Sequence, residues 1–206
     1  MLKGMENQLK NVYPSGKVYE YEQDQFLPDF YQQLISNAIS NMIKNCEVSC
    51  TDLSPFFKKQ LLIAITHKDE MSFASWSPSS FEEKKQWLLQ NDRGYQILYI
   101  YFSRIWPGYY FLYNCQNLNL KKNRCETKSS ENAPTEEWFS IEKDIIAILN
   151  ETGITHFTNQ DLDEKVPFIF DEIWPDSECG EANSLDEDFE PVLEPTTLWK
   201  CLFDRP

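Results

Sequence analysis

The sequence predicts an α+β fold in which N-terminal helices precede a central aromatic-rich β-hairpin and short C-terminal strands. Three observations support this fold class. Apolar residues recur in pairs four positions apart within residues 30–45, which is typical of one face of a helix. Residues 95–116 are dense in Tyr, Ile and Phe, the residue types that suit strands. Residues 135–149 show a second helical stripe, and short apolar runs follow it.

Composition indicates a single folded domain over residues 1–206. We expect this domain in the cytoplasm. Hydrophobic residues make up 41% of the chain and aromatic residues 15%, which is enough to bury a core. The N-terminus lacks the apolar run of a signal peptide, and the long apolar stretch at 95–113 is interrupted by Arg104 and Pro107. The six cysteines are expected to be reduced thiols, since a chain of this size folds without disulfides.

Three helices are predicted before the hairpin. The first covers residues 30–45, and the second covers residues 54–65, beginning with a Ser-Pro pair that suits a helix start. Residues 61–66 would also suit a buried strand, so both interpretations stay open for them. A third helix is predicted to begin at residues 80–83, which have the pattern of a capping box, and to end near residue 94.

The central hairpin is predicted from two aromatic segments, residues 95–105 and 109–116, which flank a Trp-Pro-Gly turn at 106–108. The alternative is that the third helix continues through residue 105. A helix over 135–149 with Gly153 as its stop is the clearest C-terminal element. The remaining predicted elements are a polar loop over 117–134, strands over 154–157 and 166–170, an acidic loop over 175–195, and a returning strand over 196–203.

Charge is the strongest functional signal in the sequence. Residues 161–206 contain fourteen Asp or Glu and three Lys or Arg, so they carry a formal charge of −11 out of −14 for the whole chain. Because nucleic acid and anionic lipid carry the same sign of charge, we expect neither among the partners. A basic protein is the expected partner.

Motifs for nucleotide-driven or hydrolytic chemistry are missing from the sequence. His67 and His156 lie far apart, and the loose Cys46-x₃-Cys50 pair has no second close pair that would complete a zinc site. We therefore expect no cofactor, no metal site and no catalytic residue.

Clustered carboxylates leave one enzymatic alternative open, a metal-dependent hydrolase or nuclease. Paired carboxylates can act as general acid and base, or they can hold a metal ion during hydrolysis. A solvated acidic face is a third interpretation of the same residues. The carboxylates of the enzymatic alternative are Asp161, Asp163, Glu164, Asp171 and Glu172.

Apolar residues are interleaved with the acidic residues of the C-terminal segment. An aromatic anchor surrounded by acids suits the binding of a cationic protein surface. We expect the acids to steer encounter and the rings to hold the complex. The predicted partner-binding residues are Asp171, Glu172, Trp174, Asp176, Glu178, Glu181, Asp186, Glu187, Asp188, Phe189, Glu190 and Glu194.

Residues 138–203 resemble the C-terminal part of immunity proteins from bacterial polymorphic and contact-dependent toxin systems. The features that carry the resemblance are an amphipathic helix at 140–150, a Gly-Ile turn at 153–154, a strand leading into the sequence LDEKVP at 162–167, an acidic irregular stretch, and a closing strand ending in WKCLF at 199–203. The resemblance implies a cytoplasmic, non-enzymatic inhibitor that blocks a cognate toxin, often a basic nuclease, by masking its active site. It assigns no role to an individual residue.

Overall fold

The computed structural model describes residues 2–21, 27–46, 48–53, 57–67, 85–86, 89, 95–119, 124–173 and 192–203. Its helices are α1 (Leu2–Val12), α2 (Asp29–Asn45), α3 (Glu136–Glu151), α4 (Asn159–Leu162) and α5 (Leu198–Leu202). Its strands are β1 (Val48–Asp52), β2 (Gln60–His67), β3 (Tyr95–Ser103), β4 (Gly108–Asn119), β5 (Arg124–Ser130), β6 (Thr155–His156), β7 (Lys165–Ile173) and β8 (Val192–Thr197). The predicted α+β class is confirmed.

The chain divides into two compact units. The central unit is Leu27–Phe157, and the terminal unit combines Met1–Phe26 with Thr158–Pro206. The prediction of one domain over residues 1–206 stays a prediction. Within the described residues, no helix combines the length and the apolar character needed to cross a membrane.

An antiparallel sheet in the order β1-β2-β3-β4-β5 forms the central unit, and β6 pairs in parallel with the start of β4. Alternate residues of the strands turn to one face, where they join buried residues of α2 and α3 in a single core. Ile65, Leu98 and Tyr113 come from the sheet, whereas Met42 and Leu149 come from the two helices. The alternate apolar residues of the strands and the apolar stripes of the two helices therefore pack together in one layer.

The central hairpin is confirmed, because β3 and β4 pair from Tyr95–Gln116 to Phe102–Tyr109. Residues 95–103 are therefore strand, and the helical alternative for them is wrong. Helices α2 and α3 also lie where the apolar stripes predict them. The Thr135 side chain accepts a hydrogen bond from the Trp138 amide at 3.3 Å, which caps α3, and Gly153 follows the helix at φ 75°.

The helix predicted over 54–65 is wrong for the residues that the structure describes, because residues 57–59 form no helix and residues 60–67 form β2, while residues 54–56 lie outside the described residues. The strand alternative holds for residues 61–66. Strand β2 lies between β1 and β3, and Ile63 and Ala64 are both buried although they turn to opposite faces of the sheet. A strand that is covered on both faces has a continuous run of apolar residues in its sequence. The periodicity of such a run does not distinguish a strand from a buried helix.

The polar loop predicted over 117–134 is wrong for residues 117–119 and 124–130, because β4 extends to Asn119 and pairs with β5. Hydrogen bonds between polar side chains join β4 and β5. The side-chain Nδ2 of Asn119 donates to Glu126 Oε1 at 2.9 Å, and the Ser129 hydroxyl donates to Asn114 Oδ1 at 2.8 Å. An edge strand with exposed side chains needs no apolar alternation.

The returning strand predicted over 196–203 ends early, because β8 stops at Thr197 and α5 follows. Leu198, Cys201 and Leu202 are buried at helical spacing. The last residues of the predicted acidic loop, 192–195, belong to β8. The rest of that loop and the capping box at 80–83 lie outside the described residues.

Candidate partner-binding site

Strands β7 and β8 pair antiparallel in the terminal unit and form the β7–β8 ribbon, which contains the described part of the predicted site. Asp171 lies opposite Glu194, and Ile173 lies opposite Val192, so these four side chains share one face, the Ile173 face. The pair between them in register is Glu172 and Leu193, whose side chains turn to the other face, the Leu193 face.

Three apolar side chains at one end of the ribbon are about half exposed. The exposed fractions are 44% for Ile173, 55% for Val192 and 52% for Leu193. These three residues, called here the ribbon end, directly flank residues 174–191 in the sequence. Contiguous exposed apolar side chains are typical of a surface that a partner covers, and Ile173 and Val192 are neighbours of this kind across the ribbon.

Two of the predicted binding carboxylates are already engaged within the terminal unit. Asp171 Oδ2 forms an ion pair with Lys200 Nζ of α5. Glu172 Oε1 lies 3.4 Å from Lys17 Nζ and accepts a hydrogen bond from the Tyr19 hydroxyl. The hydrogen bonds of Lys17 with Tyr19 and then with Glu172 raise the pKa of the Lys17 ammonium, which keeps it charged. Asp171 and Glu172 therefore hold the ribbon to its own unit.

Glu194 differs from these two carboxylates, because it is exposed and forms no ion pair within the described residues. The structure therefore brings Glu194 to the ribbon end as an available charge. The other predicted binding residues lie outside the described residues; they are Trp174, Asp176, Glu178, Glu181, Asp186, Glu187, Asp188, Phe189 and Glu190.

The carboxylates of the enzymatic alternative have separate surroundings. Asp161 Oδ2 accepts hydrogen bonds from the Thr158 amide at 2.9 Å and hydroxyl at 2.7 Å, completing the cap of α4. Asp163 and Glu164 line a shallow depression of about 600 Å³ beside it. In β7, Asp171 and Glu172 turn to opposite faces, so they cannot share one metal ion. Among the described residues, no group of three or more His, Cys, Asp or Glu is placed to hold a metal.

The sequence did not reveal that two lysine side chains, Lys200 and Lys17, pair with Asp171 and Glu172. Lys17 is 155 residues from Glu172 in the chain, and no local pattern links the two. The sequence also did not reveal an acidic depression of about 500 Å³ in the central unit, where Phe139 lies beside Glu131, Glu136 and Glu142. Lys143 Nζ already lies 4.3 Å from the centre of the Phe139 ring.

Four cysteines, Cys46, Cys50, Cys115 and Cys201, are free thiols, as predicted. Burial raises the pKa of the Cys50 thiol to about 12, so it stays protonated and poorly nucleophilic at neutral pH. For Cys125 and Cys179, the reduced state stays a prediction.

Comparison with known proteins gives no relative, since no family model, no curated protein and no solved structure matches the chain. The resemblance to immunity proteins therefore stays an expectation. What this chain offers for a functional assignment is the geometry and charge of the β7–β8 ribbon.

Proposed function

We propose that this chain is an acidic, non-enzymatic binding protein that neutralises a basic partner protein. The binding site comprises the ribbon end, Glu194 and the acidic residues of 174–191. The observation that carries the proposal is that three half-exposed apolar side chains directly flank this acidic segment.

Charge gives the proposed site its selectivity for a basic partner. Residues 174–191 include seven Asp or Glu and no Lys or Arg. A field of one sign raises the rate of encounter with oppositely charged proteins and disfavours partners of the same sign. Nucleic acid and anionic membranes are poor partners for the same reason.

Apolar contact gives the complex its lifetime. Burying the exposed half of a Val, Leu or Ile side chain contributes about 1 kcal/mol. Ile173 and Val192 lie opposite each other on one face of the ribbon, Leu193 lies on the other face, and Trp174 follows Ile173 directly in the sequence. A compact apolar centre surrounded by charge is the usual arrangement of binding energy in an interface.

Toxin immunity in the cytoplasm is the most concrete form of this function. The resemblance of residues 138–203 implies a non-enzymatic inhibitor that masks the active site of a cognate toxin, often a basic nuclease. Asp171 and Glu172, which the sequence predicts as contacts, have a supporting role in this proposal because Lys200 and Lys17 neutralise them.

Site-specific photo-cross-linking tests the proposal. A benzophenone amino acid replaces Leu193 in the full chain, which is expressed in the cells that produce it natively. We expect one basic protein to be cross-linked, and an excess of unmodified chain to suppress the adduct. The same group at Phe30, an exposed residue of the central unit, is the matched control. Failure to obtain a basic adduct at residue 193, or the same adducts at residues 193 and 30, would contradict the proposal.

A further inference from the structure

We propose that the β7–β8 ribbon enters a cleft of its basic partner and is held there by side chains on both of its faces. This inference rests on the proposed function and specifies how the partner is bound. The alternative would be addition of a partner strand to an edge of the ribbon, a common way for an extended segment to bind a sheet. Backbone hydrogen bonds at the two edges distinguish these modes.

Part of the β7 edge is already occupied by the chain itself. The Phe170 amide donates to the Gly16 carbonyl at 2.7 Å, and the Val18 amide donates to the Phe170 carbonyl at 3.0 Å. The backbone of Phe170 therefore points away from β8. Its partner in β8 is Pro195, which lacks an N–H, so Phe170 and Pro195 form a non-hydrogen-bonded pair.

The hydrogen bonding of the next pairs follows by alternation. Because Phe170 and Pro195 are not hydrogen-bonded, Asp171 and Glu194 are, and Glu172 and Leu193 are not. The N–H and C=O of Leu193 therefore point to the outer edge of β8.

Pro195, the next outward-facing residue along β8, offers no donor there. Its carbonyl accepts a hydrogen bond from Lys165 Nζ at 3.1 Å. Among residues 192–195 of β8, the backbone N–H of Leu193 is thus the one donor that points to the outer edge. A strand added to this edge would gain few hydrogen bonds, and proline on an edge strand is a common protection against such pairing.

Side chains offer another means of attachment, and they are exposed on both faces. Ile173 and Val192 lie on one face, and Leu193 lies on the other. A flat partner surface would cover one face and leave the other in water. A cleft with two apolar walls covers both faces, and a rim of Lys or Arg would meet the exposed Glu194.

Two substitutions at Leu193 separate the modes, with the basic protein recovered by the Leu193 cross-link as the probe. Leu193→Ser removes the side chain and keeps the edge N–H, whereas Leu193→Pro removes both. Pro is compatible with a position whose N–H does not bond to β7. If side chains hold the complex, both variants should dissociate roughly tenfold faster or more, and to a similar extent. Val192→Ser, on the opposite face, should also speed dissociation.

Ile43→Ser in the central unit is the matched control, because Ile43 is an apolar residue with 41% exposure, compared with 52% for Leu193 and 55% for Val192. It should leave the dissociation rate unchanged. Cross-links from residues 192 and 193 should map to two different partner segments, one for each wall.

Wild-type dissociation for Leu193→Ser together with lost binding for Leu193→Pro would show strand addition and overturn the inference. An unchanged rate for Val192→Ser would overturn it too, since one face would then suffice. These results leave the proposed function intact. Failure to obtain any basic adduct overturns the function and the inference together.

Discussion

Neutralising Asp186, Glu187, Asp188 and Glu190 together, as Asn or Gln, is expected to slow association with the basic partner roughly tenfold or more at low salt. These carboxylates act at long range, and salt screens them over a Debye length of about 8 Å at physiological ionic strength. The salt dependence of the association rate should therefore become flatter, while the dissociation rate changes little. Stopped-flow binding over a series of salt concentrations measures both rates.

The matched control neutralises four exposed carboxylates of the central unit, Asp29, Glu131, Asp144 and Glu151. This variant has the same net charge as the first. If the position of the charge matters, it should keep most of the wild-type association rate and its salt dependence. Equal slowing in both variants would show that net charge, and not the acidic segment, attracts the partner.

Trp138→Ala is expected to destabilise the central unit by about 3–5 kcal/mol, the usual cost of truncating a buried Trp. Trp138 is fully buried in the first turn of α3. Its ring packs edge-on against Tyr113 with centroids 5.7 Å apart, and against His67 at 4.6 Å. Removing it would leave a cavity between α3 and the sheet. Urea unfolding followed by circular dichroism measures the loss.

Two further variants identify the source of this loss. Trp138→Phe should cost much less, because a ring remains and because Trp138 Nε1 has no hydrogen-bond acceptor among the described residues. Phe139→Ala, at the adjacent half-exposed position, should change the free energy of unfolding by about 1 kcal/mol or less. A similar loss for Trp138→Ala and Phe139→Ala would show that Trp138 is not central to the core.

The elements with strong local patterns could be predicted from the sequence. Helices α2 and α3 carry apolar stripes of helical period, and Thr135 and Gly153 mark the ends of α3. The hairpin of β3 and β4 follows from dense aromatic and β-branched residues on both sides of one turn. In each case the local preference agrees with the tertiary structure.

Elements whose neighbours decide their structure could not be predicted in this way. Strand β2 is a strand because β1 and β3 pair with it on both sides, and β5 is a strand because β4 offers a polar edge. The same limit applies to the site. The acidic segment was visible in the sequence, but the contacts of Asp171 with Lys200 and of Glu172 with Lys17 depend on tertiary structure.

The central claim is that the partner binds the β7–β8 ribbon and the acidic residues that follow it. Hydrogen–deuterium exchange of the full chain tests it most directly, measured with and without the purified partner that the cross-link identifies. The amides of residues 171–194 should exchange more slowly in the complex, while those of α2 and α3 in the central unit should keep their free rates. The contradicting result would be slower exchange in the central unit together with unchanged exchange over 171–194. The partner would then bind elsewhere than at the β7–β8 ribbon and the acidic residues of 174–191.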